Sequence, residues 1–309
     1  MLGHLLRTAD LSPWDLGLLL DLAAALKAEP RRESELLRDE TVALYFSKPS
    51  SRTRISFGAA IGRLGARTEA LGPAELQLGQ RETIEDVARV ISRYARALVV
   101  RTFADEEVAR FAAASSIPVV NALTDGHHPC QSLADLLTLR ERFGLLEGLK
   151  VAFVGDGNNV VSSLVEAGAL AGMTVAVASP EGYGPDPTLV AAARQIGGDI
   201  VVTGDVDEAV EGAAALYTDV WLSMNHAPEE AEERRRALGP YAVDAALLAR
   251  ARPDAVFLHC LPAHRGKEVT AEVIDGPRSL VFDQAENRLC TAQAVLVALV
   301  DHRLEGTAG

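Results

Sequence analysis

The sequence predicts an α/β protein of two domains, each a parallel β-sheet flanked by helices. Apolar runs of strand length alternate with amphipathic segments of helix length in two successive series, the pattern of sheets covered on both faces. The length of 309 residues, at roughly 150 per domain, also gives two domains. A composition of 48% hydrophobic and 24% charged residues is that of a globular chain and excludes disorder, collagen and coiled coil as overall descriptions.

In the first series, strands are expected at Val42–Phe46, Thr68–Leu71, Ala97–Val100 and Pro118–Asn121. Thr83, with Asp86 three residues on, marks a capping-box helix start, and Val87, Val90, Ile91 and Tyr94 follow at helical spacing. Gln131–Phe143 is amphipathic, with Leu133, Leu136 and Leu137 set apart from the Arg140-Glu141-Arg142 run. No Pro/Gly-rich linker separates the two series there, so this segment is expected to be an interdomain helix. The second series runs Lys150–Val154, Thr174–Ala178, Asp199–Val202, Ala214–Tyr217 and Val256–His259. A last helical pattern, Ala285–Val300, has Leu289, Ala292, Leu296, Leu299 and Val300 in phase.

Lys plus Arg is 30 against 43 for Asp plus Glu, a net charge of −13, which disfavours nucleic acid and anionic membranes as partners. One stretch departs from that average. Between Thr41 and Thr68 the charged residues are Lys48, Arg52, Arg54, Arg63 and Arg67, with no acid among them. The three cysteines, Cys130, Cys260 and Cys290, are too few for a disulfide framework and show no CxxC spacing for zinc. Met1–Asp10 lacks a basic region followed by an apolar core, and no apolar run approaches the ~18 residues of a membrane helix, so a cytoplasmic protein is expected.

Within the acid-free stretch, Phe46-Ser47-Lys48-Pro49-Ser50-Ser51-Arg52-Thr53-Arg54 follows a strand, and Ser50 or Ser51 is a good N-cap for a helix beginning near Arg52. Helix-start N–H groups, hydroxyls and a guanidinium fork together make a phosphate cradle; a capped helix with solvated arginines is the alternative. His127-His128-Pro129-Cys130-Gln131 lies between a strand and the interdomain helix and is not a zinc pattern, so it suits a carbonyl oxygen or phosphate better than a metal, or is simply a satisfied loop. Gly155-Asp156-Gly157-Asn158-Asn159-Val160 invites a dinucleotide reading. That reading lacks its third glycine and its ribose carboxylate, whereas Asn158 and Asn159 offer amides to an amino acid's carboxylate and ammonium. Asp219-Val220-Trp221-Leu222-Ser223-Met224 and His259-Cys260-Leu261-Pro262 both follow strands, so a carboxylate and a thiol can face one pocket. Cys260 read alone can equally be a small core residue. No GxSxG, GxxxxGK[ST] or HExxH occurs, which removes the hydrolase, nucleotide-kinase and zinc-protease readings.

Taken together these residues resemble the transcarbamylase family over nearly the whole chain, with the motifs in family order. Ser50-Ser51-Arg52-Thr53-Arg54 stands where the family has Ser-Thr-Arg-Thr-Arg, and His128-Pro129-Cys130-Gln131 is similar to its second carbamoyl-phosphate motif. The ornithine-using branch is marked by Asp219–Met224, by His259-Cys260-Leu261-Pro262 and by Asp283-Gln284-Ala285-Glu286-Asn287-Arg288. Asn225 stands where the family usually has Gly, at the start of its closing loop Asn225–Arg236, and Cys290 where it usually has His.

The resemblance implies a carbamoyl-phosphate-binding domain over 1–132, an ornithine-binding domain over 133–284, and a C-terminal helix, 285–309, packing back on the first. It implies transfer of the carbamoyl group from carbamoyl phosphate to the δ-amine of L-ornithine, or to another amine such as putrescine or a modified ornithine. By resemblance, Ser50, Ser51, Arg52, Thr53, Gln77, Arg101, His128, Pro129, Cys130, Gln131, Cys260, Leu261 and Arg288 bind carbamoyl phosphate, with Gln77 reaching it from a neighbouring subunit. Asn159, Asp219, Ser223 and Met224 bind ornithine, and Arg101, His128, Asp219 and Cys260 are the catalytic set. A trimer or multiple of trimers is implied, with no metal and no organic cofactor. The rivals carried beside it are an NAD-dependent oxidoreductase built on Gly155–Val160 and a non-catalytic small-molecule binding protein that kept the fold.

Overall fold

The computed structural model describes residues 2–222 and 228–307. The chain forms two compact units, Met1–Leu137 with Glu286–Gly309, and Thr138–Ala285.

The first unit runs α1 (Pro13–Ala28), β1 (Thr41–Phe46), α2 (Arg52–Arg63), β2 (Arg67–Leu71), α3 (Pro73–Leu76), α4 (Ile84–Ile91), β3 (Ala97–Arg101), α5 (Asp105–Ala114), β4 (Val119–Leu123) and the start of α6 (Pro129–Phe143). Its four strands lie in the order β2-β1-β3-β4, all parallel, with Leu44 opposite Ala70 on one side and Val99 on the other. Val42–Tyr45 and Ala97–Val100 are continuously buried, as strands covered on both faces must be. Phe111, Leu98, Val100, Ile84 and Val87 belong to one core cluster. Thr83 caps α4 by accepting the Asp86 N–H, which is the N-cap half of the expected capping box. Val90 and Tyr94, in contrast, are 48% and 75% exposed. At 100° per residue Val90 falls about 110° round from the centre of the buried face made by Ile84, Val87, Ala88 and Ile91, and the helix ends before Tyr94.

The second unit continues with β5 (Lys150–Val154), α7 (Asn159–Leu170), β6 (Thr174–Ala178), α8 (Pro187–Gln195), β7 (Asp199–Thr203), α9 (Val206–Val210), β8 (Ala215–Tyr217), α10 (Ala231–Leu238), α11 (Ala245–Arg250), β9 (Val256–Leu258), α12 (Ala271–Ile274) and the start of α13 (Val281–Val300). Its five parallel strands take the order β7-β6-β5-β8-β9 over a core that includes Val154, Leu216, Val243 and Phe257. The chain leaves the first unit inside α6, between Leu137 and Thr138, and returns inside α13, between Ala285 and Glu286. From Ala231 the segment expected as loop is helical.

Each sheet reverses its winding direction once: β1 has β2 on one side and β3 on the other, and β5 has β6 on one side and β8 on the other. The loops on either side of such a reversal diverge at the carboxyl end of the sheet and leave a crevice between them. Ser47–Ser51 and Thr102–Ala104 flank it in the first unit, Gly155–Asn158 and the segment from Thr218 in the second.

Candidate functional site

In the first unit, the polypeptide leaves β1 through Ser47, whose N–H donates to Arg101 O at 2.9 Å, and enters α2 at Ser51. Ser51 occupies the N-cap position but has helical dihedrals (φ −82°, ψ −56°) and makes no side-chain capping bond, contrary to the capping role expected of Ser50 or Ser51. The first-turn N–H groups are therefore not taken up by that hydroxyl, and they point where an anion is favoured.

Arg288, on α13 and 6% exposed, ties this turn to the next motif. Its Nη2 donates to Thr53 Oγ1 at 2.8 Å and its Nη1 to Gln131 Oε1 at 2.6 Å. Gln131 in turn donates through Nε2 to Asp135 Oδ1 at 2.8 Å, so both ends of its amide are fixed. His128 lies beside these groups and is buried. Its pKa falls well below the usual imidazole value because burial penalises the cation, with Arg288, Arg101 and Arg52 adding repulsion in that order. A neutral imidazole amid three guanidinium groups is a hydrogen-bond donor or acceptor held within a positive field. Cys130 donates its Sγ–H to Asn121 O at 3.4 Å, and burial, partly opposed by Arg288, pushes its thiol up to about 12. It is a structural thiol. Ser50 and Arg52 flank the turn, Pro129 begins α6, and Gln77 is exposed in a left-handed conformation (φ 45°) at the end of α3.

In the second unit, Asp219 follows β8 and is 6% exposed. Its two oxygens are both used: Oδ1 accepts from Cys260 Sγ at 2.9 Å and Oδ2 from Asn158 Nδ2 at 2.7 Å. Asn158 also caps α7, its Oδ1 accepting from Val160 N and Val161 N. Asn158, weighed beside Asn159 in the sequence but not placed in the ornithine set, is thus the amide that touches the carboxylate; Asn159 is the first residue of α7. Ser223, Met224 and Asn225 lie outside the described residues.

Cys260 is oriented by its neighbours. Leu261 has a left-handed backbone (φ 58°), costly for a leucine, and its N–H donates to His259 Nδ1 at 2.9 Å. The His259 N–H is held by Gln284 Oε1 at 3.0 Å, and His259 Nε2 faces Glu268 Oε1 at 3.5 Å. Burial would raise the Glu268 pKa, but hydrogen bonds from the His259 ring and the His264 N–H hold it below the usual value.

Asp219, His259 and Cys260 place carboxylate, imidazole and thiol atoms within 4.8 Å of one another, a donor set suited to a borderline divalent metal. Both imidazole nitrogens already face Leu261 N–H and Glu268, so His259 turns to a metal only by giving up one of them. The glycines of Gly155-Asp156-Gly157 have a packing reason. A Cβ on Gly157 would fall 2.3 Å from Gly184 C, and Asp156 pairs with Arg234 at 2.5 Å, which leaves no dinucleotide turn to explain.

Two parallel sheets with helices on both faces, one carrying an arginine-rich cluster at its carboxyl end and the other a carboxylate with a thiol, define a two-domain α/β enzyme for an anionic substrate and a cationic one. The family model described as aspartate/ornithine carbamoyltransferase, carbamoyl-P binding domain, matches residues 3–141, and the model described as aspartate/ornithine carbamoyltransferase, Asp/Orn binding domain, matches residues 147–299. The chain belongs to the aspartate/ornithine carbamoyltransferase family. It is 52% identical over 305 residues, 97% of each chain, to an ornithine carbamoyltransferase of Acidothermus cellulolyticus. Among solved structures it is similar to the ornithine carbamoyltransferase of Pyrococcus furiosus (TM-score 0.92, 44% identity, 97% of each chain) and to that of Thermus thermophilus (TM-score 0.89, 47% identity, covering 97% of this chain and 99% of that one).

Proposed function

We propose that the chain transfers the carbamoyl group of carbamoyl phosphate to the δ-amine of L-ornithine, giving L-citrulline and phosphate. The observation that carries this is the pairing of opposite chemistries within one chain. Arg288, Arg101 and Arg52 add positive charge at buried, neutral His128 in the first unit, while Asp219, Cys260 and Asn158 form a polar group that can accept an amine in the second.

In this reading Ser50, Ser51, Arg52, Thr53 and Arg288 hold the phosphate, and Arg101, His128 and Thr53 stabilise the oxyanion that forms as the amine attacks the carbamoyl carbon. Arg288 is held to Thr53 and Gln131, so its guanidinium is oriented before substrate arrives. Pro129 and Gln131 shape the carbamoyl end. Cys130 and Leu261 contribute backbone, since the Cys130 Sγ is turned to Asn121 O.

Asp219 and Cys260 face the δ-amine; Asn159, Ser223 and Met224 hold the α-amino-acid end. A δ-amine with a pKa near 10.4 costs roughly 4–5 kcal/mol to deprotonate at pH 7. A carboxylate beside it favours the ammonium, so Asp219 captures and orients the substrate, and turnover rises with pH as the bound amine loses its proton. The nucleophile is the substrate's own nitrogen. No covalent enzyme intermediate is needed, which agrees with the Cys260 S–H being held in a hydrogen bond to Asp219 and with the high pKa of Cys130.

A place in arginine metabolism, a cytoplasmic setting and a trimer or multiple of trimers belong to the same reading. Gln77 is exposed, as is the outward face of α2, where Ile55 is 70% exposed, and β2 is an edge strand with exposed residues; these are surfaces that another subunit would cover in this reading. The test is citrulline formation from the two substrates, with putrescine and N-modified ornithines as competing amines. No turnover with ornithine by an intact oligomer overturns the proposal. Faster turnover with another amine moves it to that acceptor.

A further inference from the structure

Lys48 lies in the basic stretch two residues before Ser50, and it is not disposed like an anion ligand. It is 4% exposed, and its ammonium is paired with Asp125 of the loop after β4 while lying 4.1 Å from the centroid of the Phe103 ring, in the loop after β3. Since β1 and β4 are not neighbours in the sheet, this side chain joins the carboxyl-end loops of three strands, β1, β3 and β4. Backbone bonds run the same way: Ser47 N to Arg101 O at 2.9 Å and Asp125 N to Phe103 O at 2.7 Å. Two residues after Lys48 the chain reaches Ser50, and three after Asp125 it reaches His128.

We infer that the Lys48–Asp125 ion pair is a clamp that sets the spacing between the Ser50–Thr53 turn and the His128–Gln131 turn, so that Lys48 acts as a positioning residue for carbamoyl phosphate. The Lys48 side chain is 4% exposed and that of Asp125 47%, so removing Asp125 leaves a buried cation without its carboxylate, while removing Lys48 releases the Asp125 loop. The inference rests on the phosphate site proposed above.

The two roles open to Lys48 give opposite signs. As a ligand of the phosphate, Lys48 is weakened by Asp125, and Asp125→Asn tightens carbamoyl phosphate. As a clamp, Asp125→Asn loosens the turns and weakens it. The experiment is a double-mutant cycle of Lys48→Met and Asp125→Asn, with Lys48→Arg as the conservative variant, reading KM for each substrate, kcat and the calorimetric affinity for inorganic phosphate.

Each single variant is expected to raise KM for carbamoyl phosphate and weaken phosphate by about 10-fold, with KM for ornithine unchanged, and the double variant to be no worse than either single one. Lys48→Arg should recover to within about 3-fold of wild type, because it keeps the charge and the ring contact. Tighter phosphate in Asp125→Asn, additive effects, or wild-type values in both single variants overturn the clamp. If Lys48→Met does not fold, Asp125→Asn and Lys48→Arg still decide it by the sign and size of the KM change. Should the wild-type protein make no citrulline, the proposed reaction fails by itself, and phosphate affinity across the same proteins decides the clamp.

Discussion

The carboxyl ends of the two sheets differ in how they hold charge. In the first unit, burial and the charges of Arg288, Arg101 and Arg52 keep a histidine neutral, and two polar side chains, Thr53 and Gln131, anchor one guanidinium. In the second, one carboxylate, Asp219, is satisfied by a thiol and an amide. Both use the crevice of a parallel sheet, so backbone geometry does not set the difference. What sets it is which side chains the sequence places at the strand ends, and each cluster is complementary to a substrate of opposite charge.

The largest test of that contrast is Arg288→Gln. It removes the guanidinium that joins Thr53 and Gln131 in the first cluster, and kcat/KM for carbamoyl phosphate is expected to fall about 10³-fold in steady-state assays, with KM for ornithine little changed. Asp219→Asn should act on the other half, lowering kcat/KM for ornithine about 10²-fold, and Cys260→Ala, which removes only one of the carboxylate's two donors, about 10-fold. Equal losses for both substrates in any of these would erase the distinction between the clusters.

Thiol chemistry separates the units as well. Iodoacetamide followed by peptide mapping should label the partly exposed Cys260 well before Cys130, which is buried with its pKa pushed up to about 12, and ornithine should protect Cys260.

The smallest effect concerns stability. His128 stays neutral in the folded protein, whereas in the unfolded chain it gains a proton as pH falls through about 6.5. The unfolded state then binds more protons, so stability declines below that pH by about 1.4 kcal/mol per unit from this group. Thermal melts between pH 7 and 5 should show a shallower decline in His128→Gln than in wild type.

The strands were legible because buried parallel strands read as unbroken apolar runs: Lys150–Val154 and Thr174–Ala178 coincide with β5 and β6, and Val42–Phe46 misses one residue of β1. Helix faces were less so. Val90 and Tyr94 fit a helical period locally, yet which side of α4 is covered depends on what packs against it. Ser51 illustrates a similar limit: its type and place suit a cap, but its dihedrals are helical and its hydroxyl makes no capping bond. At the sites, the motif residues were readable as residue types at strand ends. The partners of Lys48 and Asn158 were not, because they lie 77 and 61 residues away and only the fold closes those spans.

The sequence by itself determined the alternation of strands and helices, the acid-free stretch and the order of the motifs, since these are properties of local composition and spacing. The tertiary structure decided which groups share a charge. Arg288 meets Thr53 across 235 positions and Gln131 across 157, and Cys260 meets Asp219 across 41. The neutral state of His128 and the donor role of Cys260 follow from burial and from those neighbours, which exist only once the sheets have brought distant strand ends together.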